Sequence, residues 1–182
     1  NAKDKIQKLT LIQPGNLSDD NKKELIEYFF AANVKNMINP YPRYKQLFDQ
    51  SRQYGFEISS FSEQDWLDLQ VWYNLCWFGY FSSQNSFIKR LKRKGKDFSE
   101  EEKQLLIKEQ FNVLSQINNQ YKKLHELGQI ELSCSPMYHP ILPLLINSES
   151  AHESLPGINL PTPLFRFSDD AERQINQGAA YF

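Results

Sequence analysis

Glu131, Cys134 and His139 lie close together in the stretch GQIELSCSPMYHPILPLL, from Gly128 to Leu145. A carboxylate, a thiol and an imidazole are all metal-ligand types. No Cys-x-x-Cys, His-x-x-x-His or carboxylate-rich loop accompanies them, and zinc or calcium sites want more ligands than this cluster offers. No metal is therefore expected here. Paired carboxylates are the other chemistry to look for, yet no motif makes any two of Asp65, Asp68 and Glu131 a catalytic pair.

The elements around these residues follow from local pattern. Ile130, Leu132 and Cys134 alternate with Glu131, Ser133 and Ser135, which predicts a short strand with one apolar face. Gly128 ends the helix before it. Pro136, Pro140 and Pro143 each lack a backbone donor, so the chain leaves the strand at Ser135 and turns irregularly. Glu131 is then a strand residue and His139 a loop residue just beyond the strand. In α/β architectures the carboxyl ends of strands, with the loops after them, are where ligands bind.

GQIELSCSPMYHPILPLL resembles the second conserved region of glycoside hydrolase family 57, in which a Gly-x-x-Glu strand runs into a His-containing, Pro-rich loop. LIEYFFAANVKNMINPYPRYKQLFDQ and DWLDLQVWYNLCWFGY resemble the helical insertion of that family's α-amylase and amylopullulanase-like members. DDAERQINQGAAYF resembles the helix that leads to the family's nucleophile strand. The blocks fall in the family's order over roughly residues 17–182. The resemblance implies an α/β fold, part of a (β/α)7 barrel, with this segment predominantly helical and carrying one or two short strands. Residues 1–127 would be the helical insertion, and residues 128–182 the barrel strand, its active-site loop and the following helix.

The same resemblance implies a retaining glycoside hydrolase that cleaves or transfers α-glucan chains through a glycosyl-enzyme intermediate and needs no cofactor. Glu131 would line the substrate cleft, and His139 would bring a neutral imidazole to a hydroxyl near the reacting sugar. A retaining mechanism uses two carboxyl groups about 5–5.5 Å apart. The family's nucleophile and acid/base would fall beyond Phe182, so no catalytic residue is expected within the chain, which alone should be silent. The family's His-Gln-Pro motif also has no counterpart, since Gln13-Pro14 lacks the His. The expected partners are an α-glucan and the remainder of the catalytic domain. The alternative is a non-catalytic helical module that pairs with another protein.

Composition narrows the classes. The formal net charge of −1 gives no general pull towards nucleic acid. The basic run FIKRLKRKGK is followed at once by Asp97, Glu100, Glu101 and Glu102, which reads as a solvated helix end. No apolar run approaches the length of a membrane span, so no membrane partner is expected. Two isolated cysteines, Cys76 in an apolar helical run and Cys134 on the expected strand, read as buried free thiols, which points to a reducing, cytoplasmic setting. Aromatic residues make up 14% of the chain, with thirteen Phe, nine Tyr and three Trp. Such rings fill cores and also stack on sugar faces.

Most of the chain reads as helix. Ser18 before Asp19 and Asp20 starts one helix, with a buried face reaching Asn39. Pro40 and Pro42 break it, and a second, shorter helix follows to about Tyr54-Gly55. In the corner PYPRY between them, Arg43 is predicted to bond helix-end carbonyls or a buried carboxylate. Ser62 and Asp65 open an apolar helix, DWLDLQVWYNLCWFGY, that belongs inside a larger body. Its tryptophans are expected in the core, and its breadth predicts incompletely covered apolar surface. Ser99 and Glu102 start the longest helix, to about Leu127, with Ile107, Phe111, Leu114, Ile117, Tyr121 and Leu124 on a packed side. A Pro-rich surface loop follows the central stretch, Phe165 and Phe167 return towards the core, and Ser168 caps the final helix.

Overall fold

Helix caps written in the sequence set most element boundaries. The computed structural model describes residues 4–53, 55 and 57–182. The chain forms two compact units, Asn1–Asn118 and Asn119–Phe182. Unit 1 holds α1 (Lys5–Leu11), α2 (Asp19–Tyr28), α3 (Pro42–Gln53), α4 (Glu63–Leu75), α5 (Ser86–Lys94) and the start of α6 (Glu100–Glu126). Reciprocal capping boxes open three of these helices: Ser18 with Asn21, Ser62 with Asp65, and Ser99 with Glu102.

The core of unit 1 is organised on α4. Trp66, Leu69, Val71, Trp72 and Leu75 are all at most 1% exposed, enclosed with Leu25, Phe29, Ile38, Tyr44, Leu47, Ile88, Leu91 and Leu106. The incomplete cover expected of DWLDLQVWYNLCWFGY is confined to its end: α1, α3 and the turn Pro14–Asn16 pack on α4, whereas beyond it Trp77 and Tyr80 are 55% and 78% exposed, so Trp77 is not in the core expected of it.

Polar residues are buried on α4 as well, and each is satisfied, as burial in a low-dielectric core requires. Gln70 donates to the carbonyls of Leu9 and Ile12 and accepts from Lys103 Nζ at 2.9 Å. Asn74 donates to Thr10 Oγ1, and Trp72 Nε1 donates to the Gly95 carbonyl at 2.8 Å. Burial pushes the Lys103 ammonium below its ordinary pKa even though Glu100 lies 2.9 Å away.

The helix expected to continue to Asn39 stops instead at Tyr28, and a π-helical turn, Val34–Ile38, follows after Asn33. The Phe29 carbonyl takes a hydrogen bond from the buried Tyr44 hydroxyl, and Asn33 caps the Asn36 amide at 2.9 Å. Tertiary and capping bonds here displace the helical ladder. The second helix runs Pro42–Gln53, and its expected end at Tyr54 lies outside the described residues.

Unit 2 has little core of its own. Apart from Ala171, Gly178 and Ser148 its described residues are partly or fully exposed. It contains α7 (Leu142–Ile146), α8 (Ala151–Ser154) and α9 (Ser168–Tyr181). Backbone bonds tie the parts together: Ser148 N–H to Phe165 O, Phe167 N–H to Leu145 O, and Met137 N–H to Gln174 O at 2.8 Å. Phe165 and Phe167, expected to reach a core, are each 49% exposed and contact one another. Ser168 is the first helical residue of α9, preceded by Phe167 with no side-chain cap, so it does not act as the cap its sequence position suggests.

No β-strand occurs among the described residues. The short strand expected over Ile130 to Cys134 is irregular chain. Alternation supplies an apolar edge, but a strand also needs a neighbour whose amides and carbonyls complete the ladder, and no described segment pairs with this one.

Candidate functional site

The central stretch is launched by the end of α6. Gly128 adopts φ +65°, its amide bonds the His125 carbonyl, and the Gln129 amide bonds the Leu124 carbonyl at 3.0 Å. That pair of bonds is a Schellman closure, which needs a left-handed residue and so selects glycine. The chain then runs without regular structure to a turn at Pro136–His139, closed by the His139 amide on the Pro136 carbonyl at 3.0 Å.

Tyr138 and His139 both take left-handed conformations, with φ +60° and +52°. Side chains with a Cβ adopt this region at a cost of order 1–3 kcal/mol each, so surrounding contacts must hold the turn. Those contacts come from α9. Met137 N–H bonds Gln174 O, and the backbone of Ser135–Met137 lies directly over Gly178. A Cβ on Gly178 would meet Ser135 O at 2.8 Å, Met137 N at 3.1 Å and Pro136 Cα at 3.2 Å. Sequence reasoning missed Gly178, although an isolated glycine inside a helical pattern signals a close backbone approach.

Glu131 and His139 are both exposed, and neither side chain has a hydrogen-bond or ion-pair partner among the described residues. The structure thus offers two polar groups on one irregular segment without joining them to each other. Cys134, expected to be buried on a strand, is an exposed free thiol, because the irregular segment that carries it packs no apolar face against a sheet. Among the described residues no group of three or more His, Cys, Asp or Glu side chains is placed to hold a metal ion.

The other carboxylates of interest are occupied. Arg43 donates through Nε to Asp68 Oδ2 at 2.8 Å and through Nη2 to Asp65 Oδ1 at 2.6 Å. Asp68 also accepts from the Phe98 amide at 3.0 Å and from Gln64 at 2.9 Å. Burial raises the pKa of Asp65, but hydrogen bonds from Ser62 and Arg43 outweigh it and hold the carboxyl below its ordinary value. An acid catalyst needs the opposite shift. These residues lock α3 to α4, and Arg43 meets the buried carboxylate expected of it.

No helix among the described residues is long and apolar enough to cross a membrane. No curated protein and no solved structure matches the chain. The family model described as Glycosyl hydrolase family 57 matches residues 38–182, which include α4, the whole central stretch and α9. A match over most of the chain, embracing both the helical part and the segment that carries Glu131 and His139, shows that the chain belongs to glycosyl hydrolase family 57.

Proposed function

We propose that this chain is a segment of a retaining glycoside hydrolase acting on α-glucans, in which Glu131 and His139 contribute to the substrate cleft. In this reading residues 1–127 are a helical insertion of the catalytic domain, and residues 128–182 supply a barrel strand, an active-site loop and a helix of a β/α barrel. The nucleophile and acid/base lie outside the 182 residues, so the segment alone is inactive, and hydrolysis or transfer occurs in the protein that carries all of these parts. The observation that carries the reading is the family match across the central stretch, where both functional groups are exposed and unpaired among the described residues. A carboxylate and an imidazole left open in this way are free to bond sugar hydroxyls, and the bare edge of Ile130 to Cys134 is free to join a sheet.

The test is α-glucan cleavage by this chain and by a form extended through the following strands, with Glu131→Gln and His139→Ala in the longer form. Cleavage by the extended protein alone, impaired by both substitutions, is the expected result. An extended protein inert on every α-glucan would sink the proposal. The exposed Ile141, Leu155, Phe165 and Phe167 favour a second reading, a helical module that pairs with another protein. That reading predicts a stable complex with a second polypeptide and no glucan cleavage.

A further inference from the structure

His139 stands in a backbone conformation that its own neighbourhood disfavours twice. Its φ of +52° is left-handed, which a residue with a Cβ rarely adopts, and Pro140 pushes the residue before it towards extended backbone, where φ is negative. Tyr138, at φ +60°, carries the first of these burdens as well. Left to itself, this turn would relax.

The restraint comes from α9 and is concentrated at one residue. Of the chain's seven glycines, only Gly178 would bring a Cβ closer than 3.5 Å to another atom. Its backbone is not left-handed, so the helix does not need glycine there for its shape, and a glycine inside a helix costs stability that alanine would supply. Close approach is what the missing side chain permits. The Ser135 carbonyl, the Pro136 Cα and the Met137 amide all crowd the place where a methyl group would be. Met137 N–H bonds the Gln174 carbonyl one turn earlier on the same helix at 2.8 Å, and the Pro136 carbonyl accepts His139 N–H at 3.0 Å. Gly178 therefore reaches His139 through one close contact, at Pro136, and one hydrogen bond.

Strained residues persist only where the surrounding structure over-determines them, and they gather at functional sites. The His139 side chain is exposed and has no partner among the described residues, so its backbone is what sets where the imidazole stands.

We infer that Gly178 is a positioning residue for His139: by letting the Pro136–His139 turn sit directly on α9, it fixes the place from which the imidazole meets the substrate. The inference rests on the reading of His139 as a residue of the cleft. Gly178 itself touches no substrate.

Two measurements test this. A positive φ brings an amide proton close to its own Hα, so in the 182-residue chain Tyr138 and His139 should give strong intraresidue nuclear Overhauser effects. Gly178→Ala, a change that by itself favours the helix, should abolish them while the amide shifts of α4 stay in place. In the extended protein, with maltoheptaose as substrate, Gly178→Ala should lower kcat/KM about tenfold or more, since a small misplacement of a positioned group is costly. Made in the His139→Ala enzyme, the same substitution should cost less than about twofold, because a residue that acts through His139 then has nothing left to place.

Equal losses in the two backgrounds would make Gly178 merely structural and overturn the inference. So would Overhauser effects that survive in Gly178→Ala, or that are missing from the wild type, the latter whether or not the variant folds. Surviving effects beside an impaired His139→Ala enzyme would remove the positioning role and leave the proposed cleft standing. Effects lost in Gly178→Ala, beside a His139→Ala enzyme of unchanged activity or an extended protein inert on glucan, would take His139 out of the cleft and its positioning with it, and leave only a turn seated on α9.

Discussion

Arg43 Nε lies 2.8 Å from Asp68 Oδ2, and the Asp68 side chain is wholly shielded from solvent. Two helices distant in sequence are fastened by this pair, because Arg43 opens α3 and Asp68 sits in the second turn of α4. Asp68 also receives the amides of Asp97 and Phe98, so one carboxylate fixes the chain just before α6. Removing one member of a buried, hydrogen-bonded pair leaves the other charge uncompensated, which costs about 3–5 kcal/mol. Asp68→Ala should therefore lower the unfolding free energy of unit 1 by about 3–5 kcal/mol, read as a lower urea midpoint at an unchanged denaturant slope. A loss under about 1 kcal/mol would assign the pair a surface-like role.

The neighbouring Asp65 gives the same cluster a pH signature. Its native pKa is depressed below the ordinary 3.8, and that of Glu102 below 4.5 through Lys94 and Ser99. For depressed carboxylates the stabilisation is fully present above the unfolded pKa and is lost as pH falls through the native one. Stability should hold down to about pH 4.5 on this account and then decline with further acidification. Urea midpoints along a pH series should show a shallower acid decline in Asp65→Asn than in the wild type; identical slopes would refute the assignment.

Thiol chemistry separates the two cysteines. Cys134 is exposed, whereas Cys76 is buried and desolvation pushes its pKa up to about 12. Since the thiolate is the reactive form, a disulfide-exchange reagent should label one thiol at once and the second only on unfolding. The raised value also means that stability from the buried thiol is complete below the ordinary 9.0 and is lost as pH climbs towards about 12. Rapid labelling of both thiols in the native protein would contradict the burial.

Gly178→Ala should dislodge the central stretch from α9. The new methyl group would overlap backbone atoms of Ser135–Met137, and backbone cannot step aside as a flexible side chain does. Overpacking of this kind costs about 1–3 kcal/mol. The expected readout is faster hydrogen exchange at the Met137 amide and earlier proteolysis within Ser135–His139, with α4 amides unchanged. Unaltered exchange at Met137 would show that the stretch is held by something other than α9.

Much of the fold was legible because its signals are local. Ser62 and Ser99 lie three residues before the carboxylates that complete their capping boxes, and Gly128 follows the last periodic residue of α6. The apolar circumference of α4 likewise announced a buried helix. The stripe on α6 was legible as a pattern and misleading as packing: Phe111, Leu114, Ile117 and Tyr121 are 43–59% exposed, because periodicity names a face without naming what covers it.

Sequence by itself determined the family, the helical character and the residues worth testing, since caps, turns and motifs act within a few positions along the chain. Tertiary structure decided that Arg43 serves Asp65 and Asp68, that α2 ends where Tyr44 claims the Phe29 carbonyl, and that Gly178 is the seat of the central stretch. It also decided that Ile130 to Cys134 is irregular chain. Each of these depends on a partner many residues away, and a hydrogen bond, a ladder or a close backbone approach exists only once folding has brought that partner into reach.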